Sequence, residues 1–141
     1  YFRPMAGVEW KPVSVEITYG LERICMFNQQ KKNVYDLVWN DEGIKYREVF
    51  HQSEKEFSAY NFENANTENL FKIFDIHESE AKLLVEKSIS LPAYDQCLKA
   101  SHIFNVLDAR GVISVAQRAE YIGRIREITK QAAAIWVESQ T

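Results

Sequence analysis

The residues best suited to chemistry lie together in Glu16-Ile17-Thr18-Tyr19-Gly20-Leu21-Glu22-Arg23. Glu16 and Thr18 are two apart, so on an extended chain they point to one face. A carboxylate beside a hydroxyl can grip a small cation such as an amino group. Gly20 allows a close backbone approach or a positive φ. A helix opening after it offers free amides and a positive dipole end, which suits a phosphate. Arg23, in the first turn, adds a planar, permanently charged fork for phosphate oxygens. The plainer account is an alternating strand followed by a helix with a solvated Glu22-Arg23 pair at its start. On pattern alone the plainer account is the stronger.

The elements that would position these residues read as follows. Val13, Val15 and Ile17 alternate with Ser14, Glu16 and Thr18, the period of a half-buried strand with its apolar side in a core. Pro12 suits the start of that strand. Leu21, Ile24, Cys25 and Phe27 have helical spacing, so a helix runs from near Gly20 towards Gln30. Residues 31–45 are a connection, with Asn40-Asp41-Glu42-Gly43 as its clearest turn. From Tyr46 the chain reads helical. A first helix covers 46–60, and Asn66 or Thr67 caps a second, whose one face carries Leu70, Ile73, Phe74, His77, Ala81 and Leu84. Pro92 suits the first turn of a third helix, which runs to Arg110 and stops at Gly111. Ser114-Val115-Ala116-Gln117 is a capping box. The helix it opens has Val115, Ala119, Ile122, Ile125, Ile128, Ala132 and Ile135 on an apolar face and Glu120, Arg124, Glu127, Lys130 and Gln131 opposite. A single strand is no sheet, so its partners must come from elsewhere.

With 141 residues, 46% hydrophobic and 26% charged, the chain has enough apolar material to fold. Seventeen Lys and Arg against twenty Asp and Glu leave a net charge of −3, which argues against a free-standing binder of nucleic acid or acidic membrane. No apolar run approaches the ~20 residues of a membrane span. Cys25 and Cys97 read as reduced, buried thiols, and with His51, His77 and His102 they make no zinc spacing, so no structural metal is expected. The chain starts at Tyr1, with its first methionine at Met5, and reads as beginning inside something larger.

The 16–23 segment resembles motif 3 of class II aminoacyl-tRNA synthetases: a strand, a glycine, then an acidic residue and an arginine opening a helix. The wider text resembles the α subunit of bacterial heterotetrameric glycyl-tRNA synthetases. The blocks that carry this are Lys11-Pro12-Val13 leading into 16–23, Asn33-Val34-Tyr35-Asp36-Leu37-Val38-Trp39, Tyr60-Asn61-Phe62-Glu63 and Leu91-Pro92-Ala93-Tyr94. The longest runs from Leu98-Lys99-Ala100-Ser101-His102 through Phe104-Asn105-Val106-Leu107-Asp108-Ala109-Arg110 to Ile113-Ser114.

The resemblance implies an α+β, predominantly helical chain. Residues 1–45 would be the end of a class II antiparallel catalytic sheet, with Tyr1 inside it, and 46–141 a helical C-terminal domain. It implies a cytoplasmic glycine–tRNA ligase that activates glycine with ATP and Mg2+ to glycyl-adenylate, then transfers it to tRNA(Gly). Its partners would be a second α subunit and a β subunit in an α2β2 assembly, with tRNA(Gly) bound mainly through β, and no membrane. By position, Arg23 would be the catalytic arginine on the ATP phosphates, joined at the nucleotide by Gly20 and Glu22. Glu16 and Thr18 would hold the ammonium of glycine, whose lack of a side chain demands a tight grip and no room for a β-carbon. Motifs 1 and 2 are absent, so this piece is expected to be inactive by itself.

Two other readings compete: a helical subunit-interaction module without catalysis, and a synthetase-like regulator, against which the intact Glu16, Thr18, Gly20 and Arg23 argue. Ser101, His102, Asn105 and Asp108 make a polar stripe on a helix. They read as a docking face, against the β subunit for example, since neighbours on one helix face rarely converge as a triad does. His51 and His77 read as packed, Trp136 as core or interface, Tyr35 and Trp39 as anchors of the connection, and Arg124, Arg126, Glu127 and Lys130 as a solvated face.

Overall fold

The computed structural model describes residues 2–5 and 8–140; Tyr1, which the resemblance sets within a catalytic sheet, lies outside them. The chain is predominantly helical and forms two compact units. One is Val15–Glu63. The other joins the residues before Val15 to those from Asn64 onward. The helical stretch after Tyr46 therefore groups with the segment before it as far as Glu63.

Strands β1 (Phe2–Met5) and β2 (Val8–Ser14) pair antiparallel, Met5 with Val8 and Pro4 with Glu9, with an irregularity before Phe2 meets Ser14. This corrects the expected strand in two ways. It begins earlier, and residues 15–20 are unpaired. The alternating side chains are also not buried: Val13, Val15 and Ile17 are 49%, 74% and 74% exposed. Alternation sets which side chains share a face, but burial needs a second layer, and the described residues supply none there. Pro12 falls inside β2, tolerable because a two-stranded sheet consists only of edges.

In the Val15–Glu63 unit, helix α1 (Leu21–Asn28) forms where its spacing predicts. It buries no residue, however, and Leu21, Ile24, Cys25 and Phe27 are exposed. The expectation of a buried Cys25 thus fails for the same reason. A 3-10 turn (Val34–Asp36) starts at Asn33, whose side chain accepts from Tyr35 N at 3.0 Å. Leu37, the buried residue of the connection, follows. The expected Asn40–Gly43 turn is present. Gly43 N donates to Asn40 O at 3.1 Å, Asn40 Oδ1 accepts from Ile44 N, and Gly43 takes φ +85, where a Cβ is disfavoured. Across this turn Trp39 N bonds Ile44 O at 2.7 Å and Tyr46 N bonds Leu37 O at 2.8 Å. The helical run after Tyr46 is an α-helix, α2 (Gln52–Ala59), between π-helical stretches Arg47–His51 and Tyr60–Asn64.

In the other unit, three long helices pack together: α3 (Thr67–Glu86), α4 (Ser90–Ala109) and α5 (Val115–Glu138). Local signals set their ends. Asn66 Oδ1 caps α3 through Asn69 N at 3.0 Å. Gly111 stops α4 at φ +67, and Ser114 and Gln117 form the capping box of α5 in both directions. Along the bundle, Leu70 and Leu107, then Phe74, Ala100 and Phe104, then Ala81, Cys97 and Ile128 make successive core layers. Phe74 and Leu107 are fully buried, each contributing on the order of 2 kcal/mol by leaving water. Three positions need correction. Ile73 lies at the rim, 37% exposed. Val115, 88% exposed, and Ala119 are exposed like all of residues 114–120, so the apolar face of α5 is covered only from Tyr121 onward.

Candidate functional site

Glu16 and Thr18 are brought together as their spacing predicts: Thr18 Oγ1 donates to a carboxylate oxygen of Glu16. Gly20 caps α1 with φ −77 and ψ 104, an extended conformation open to any residue, so the positive φ considered for it is not used. Its carbonyl accepts from Ile24 N at 3.2 Å and starts the helix. No side chain caps α1, so its first amides are not taken up by a capping residue. The stem of Arg23 runs back along this end. A Cβ built on Gly20 would lie 3.8–4.0 Å from Arg23 Cγ, Cδ and Cβ, ordinary van der Waals contact. Among the described residues no hydrogen bond or ion pair engages the Arg23 guanidinium.

Glu22 points elsewhere. With Leu21 and Cys25 it lines a groove of about 290 Å³ whose other wall is Leu37, Val38, Trp39 and Tyr46. Partial burial, and then the Glu22 charge, push the Tyr46 phenol above its ordinary range. Trp39 meets Phe50 edge-on at 5.2 Å, and Tyr35 meets His51 edge-on at 4.7 Å, so both aromatics anchor the connection as expected. Arg47 clamps the same segment through Tyr35 O at 3.2 Å and Asp36 Oδ1 at 2.5 Å.

A carboxylate–hydroxyl pair followed in the chain by an open helix start with an arginine in its first turn offers groups that suit an amino group and an anion. The sequence profile described as Glycyl-tRNA synthetase alpha subunit matches residues 1–141. This chain belongs to that family. Membership makes it a glycine–tRNA ligase α-subunit sequence over its whole length. Among the described residues of this α-subunit chain, no helix is long and apolar enough to cross a membrane.

In the α-subunit bundle, the polar stripe of α4 does not converge. Asp108 pairs with Arg118 at 3.4 Å, and no hydrogen bond joins Ser101, His102, Asn105 and Asp108 to one another. His77 is packed as expected, its Nδ1 2.8 Å from Gln96 Oε1. Arg110 donates to Ala65 O at 2.7 Å. Cys97 is buried, which raises its thiol pKa against an opposing hydrogen bond with Thr129.

The solvated-face reading of Arg124 is corrected. Its Nε donates to Glu78 Oε1 at 2.9 Å, and Nη2 donates to Glu78 Oε2 at 2.5 Å and to Asp75 Oδ1 at 2.8 Å. The guanidinium also lies 4.7 Å from the Phe74 ring centre and 4.8 Å from that of Tyr121. Hydrogen bonding to Arg124 holds the Glu78 carboxyl below its ordinary range despite partial burial. The signal was available. Glu78 falls between Phe74 and Ala81 on the buried stripe of α3, and Arg124 falls between Tyr121 and Ile128 on the inner side of α5. A charge in an apolar stripe requires a partner in the facing stripe.

Proposed function

We propose that this chain supplies the motif 3 end of a class II adenylation site and the helical domain behind it. Glu16 and Thr18 hold the ammonium of glycine, which a carboxylate and a hydroxyl on one face do without admitting bulk. Arg23 grips the ATP phosphates. As the glycine carboxylate attacks the α-phosphorus and pyrophosphate departs, its fixed charge stabilises the charge gathering on the phosphoryl oxygens. Gly20 lets the nucleotide lie against the backbone, and Glu22 completes the first turn of α1. Mg2+ would enter with the ATP phosphates, as part of the substrate.

The β2 end of the chain then belongs to an antiparallel catalytic sheet built with further sequence. The working enzyme is an α2β2 assembly in the cytoplasm, in which the β subunit carries most of the tRNA(Gly) contact and this chain, at net charge −3, carries little. Motifs 1 and 2 lie outside these residues, so the 141-residue chain by itself forms no glycyl-adenylate.

The observation that carries this reading is the Thr18–Glu16 hydrogen bond beside the open start of α1, in a chain of this family. Glu16→Gln in the assembled synthetase tests it, because loss of one charged contact to an ammonium is worth about 2 kcal/mol. The glycine KM in glycine-dependent ATP–pyrophosphate exchange should rise about thirtyfold while the ATP KM stays within twofold. An unchanged glycine KM removes the assignment.

A further inference from the structure

Helix α1 buries no side chain, so the direction in which it aims Arg23 must be fixed by something other than a core. The structure supplies a brace at the opposite end of the helix. The Gln29 amide pairs with the backbone of Val38 both ways: Nε2 donates to Val38 O at 2.9 Å, and Val38 N donates to Oε1 at 2.8 Å. It thus takes the part of a neighbouring strand beside the 37–46 hairpin, whose other bonds run across its turn. Leu21, Cys25 and Gln29 recur every four residues, so they share the face of α1 turned to that hairpin. Arg23, two residues from both Leu21 and Cys25, lies on another face.

From this we infer that Gln29 is a positioning residue for the adenylation step. It holds the rear face of α1 against the hairpin and thereby sets where the Arg23 guanidinium meets the nucleotide phosphates. This rests on the reading of Arg23 given above. Glu16 and Thr18 precede the helix and are not carried by it, so Gln29 acts on ATP and not on glycine. A small misaim of a charged group at a reacting centre is enough to slow it severely.

The test is a mutant cycle in the assembled synthetase, read by glycine-dependent pyrophosphate exchange. Gln29→Ala should raise the ATP KM about tenfold, the size of one to two lost hydrogen bonds, and leave the glycine KM within twofold. Gln29→Glu, which can still accept from Val38 N but cannot donate to Val38 O, should fall in between. In an Arg23→Ala background, Gln29→Ala should add less than twofold, because the group it aims is gone. Equal losses in ATP and glycine KM, or a full tenfold further loss on top of Arg23→Ala, would overturn the inference while leaving the role of Arg23 intact. An Arg23→Ala enzyme with normal ATP kinetics would instead overturn the Arg23 reading, and this one with it.

Discussion

Arg124 is the residue on which the bundle most depends for its polar interior. It answers a nearly buried carboxylate with a two-pronged hydrogen bond while its plane rests on two aromatic faces. Removing it takes the two-pronged bond from Glu78, which is only 8% exposed and is left with Lys82 at 3.1 Å as its ion-pair partner. Arg124→Ala should therefore destabilise the chain by about 3 kcal/mol, measurable by urea unfolding, where a cost below about 1 kcal/mol would contradict the arrangement. The pH dependence has a definite sign. The folded-state pKa of Glu78 is depressed, so its contribution is fully present above the ordinary glutamate range and is lost as pH falls through the lowered value. Glu78→Gln should flatten the decline of melting temperature between about pH 5 and pH 3, and an unaltered slope would sink the assignment. The sequence marked both charges by setting them within apolar stripes, but it did not say which faces which. Only the pairing of α3 with α5, a contact 46 residues apart along the chain, turns two apparent surface charges into one interior group.

At the scale of elements, the helix ends were legible because their causes are local. Asn66, Gly111 and the Ser114–Gln117 box act within four residues of themselves, and each does what its type dictates. Ser114→Ala should cost about 1 kcal/mol by loss of the cap. Gly111→Ala should cost a similar ~1 kcal/mol, since nothing lies within 4 Å of an added Cβ and only the φ of +67 resists it. A shift in urea midpoint near zero for either variant would contradict these causes. The strand was less legible. Val13, Val15 and Ile17 alternate correctly, but pairing ends at Ser14 and their side chains face solvent, because a strand's burial is decided by layers far away in sequence. Helix α1 shows the same split: its spacing gave its existence and its limits, and nothing local could say that it lacks a core.

On the scale of the molecule, the residues from Val13 to Leu21 form a highly exposed apolar stretch: Val15, Ile17, Tyr19 and Leu21 are each at least 70% exposed. Apolar surface of that density drives association. The 141-residue chain in isolation should therefore self-associate at micromolar concentration in sedimentation velocity, and a single monomeric species would count against that expectation. Of the proposed adenylation site, the sequence exposed the residue types and their spacing, and the structure adds the Glu16–Thr18 bond, the uncapped start of α1 and the Gln29 contact with Val38 at its far end. The brace was hidden because a glutamine at a helix end carries no pattern until the hairpin it meets is in place.

The proposed role of Arg23, stabilising charge on ATP during glycine activation, is tested by glycine-dependent ATP–pyrophosphate exchange with the assembled synthetase carrying Arg23→Ala. The kcat/KM for ATP should fall about 100-fold or more with unchanged assembly, the size expected for removing one preorganised donor to a developing oxyanion. Exchange within about threefold of the unaltered enzyme would contradict it.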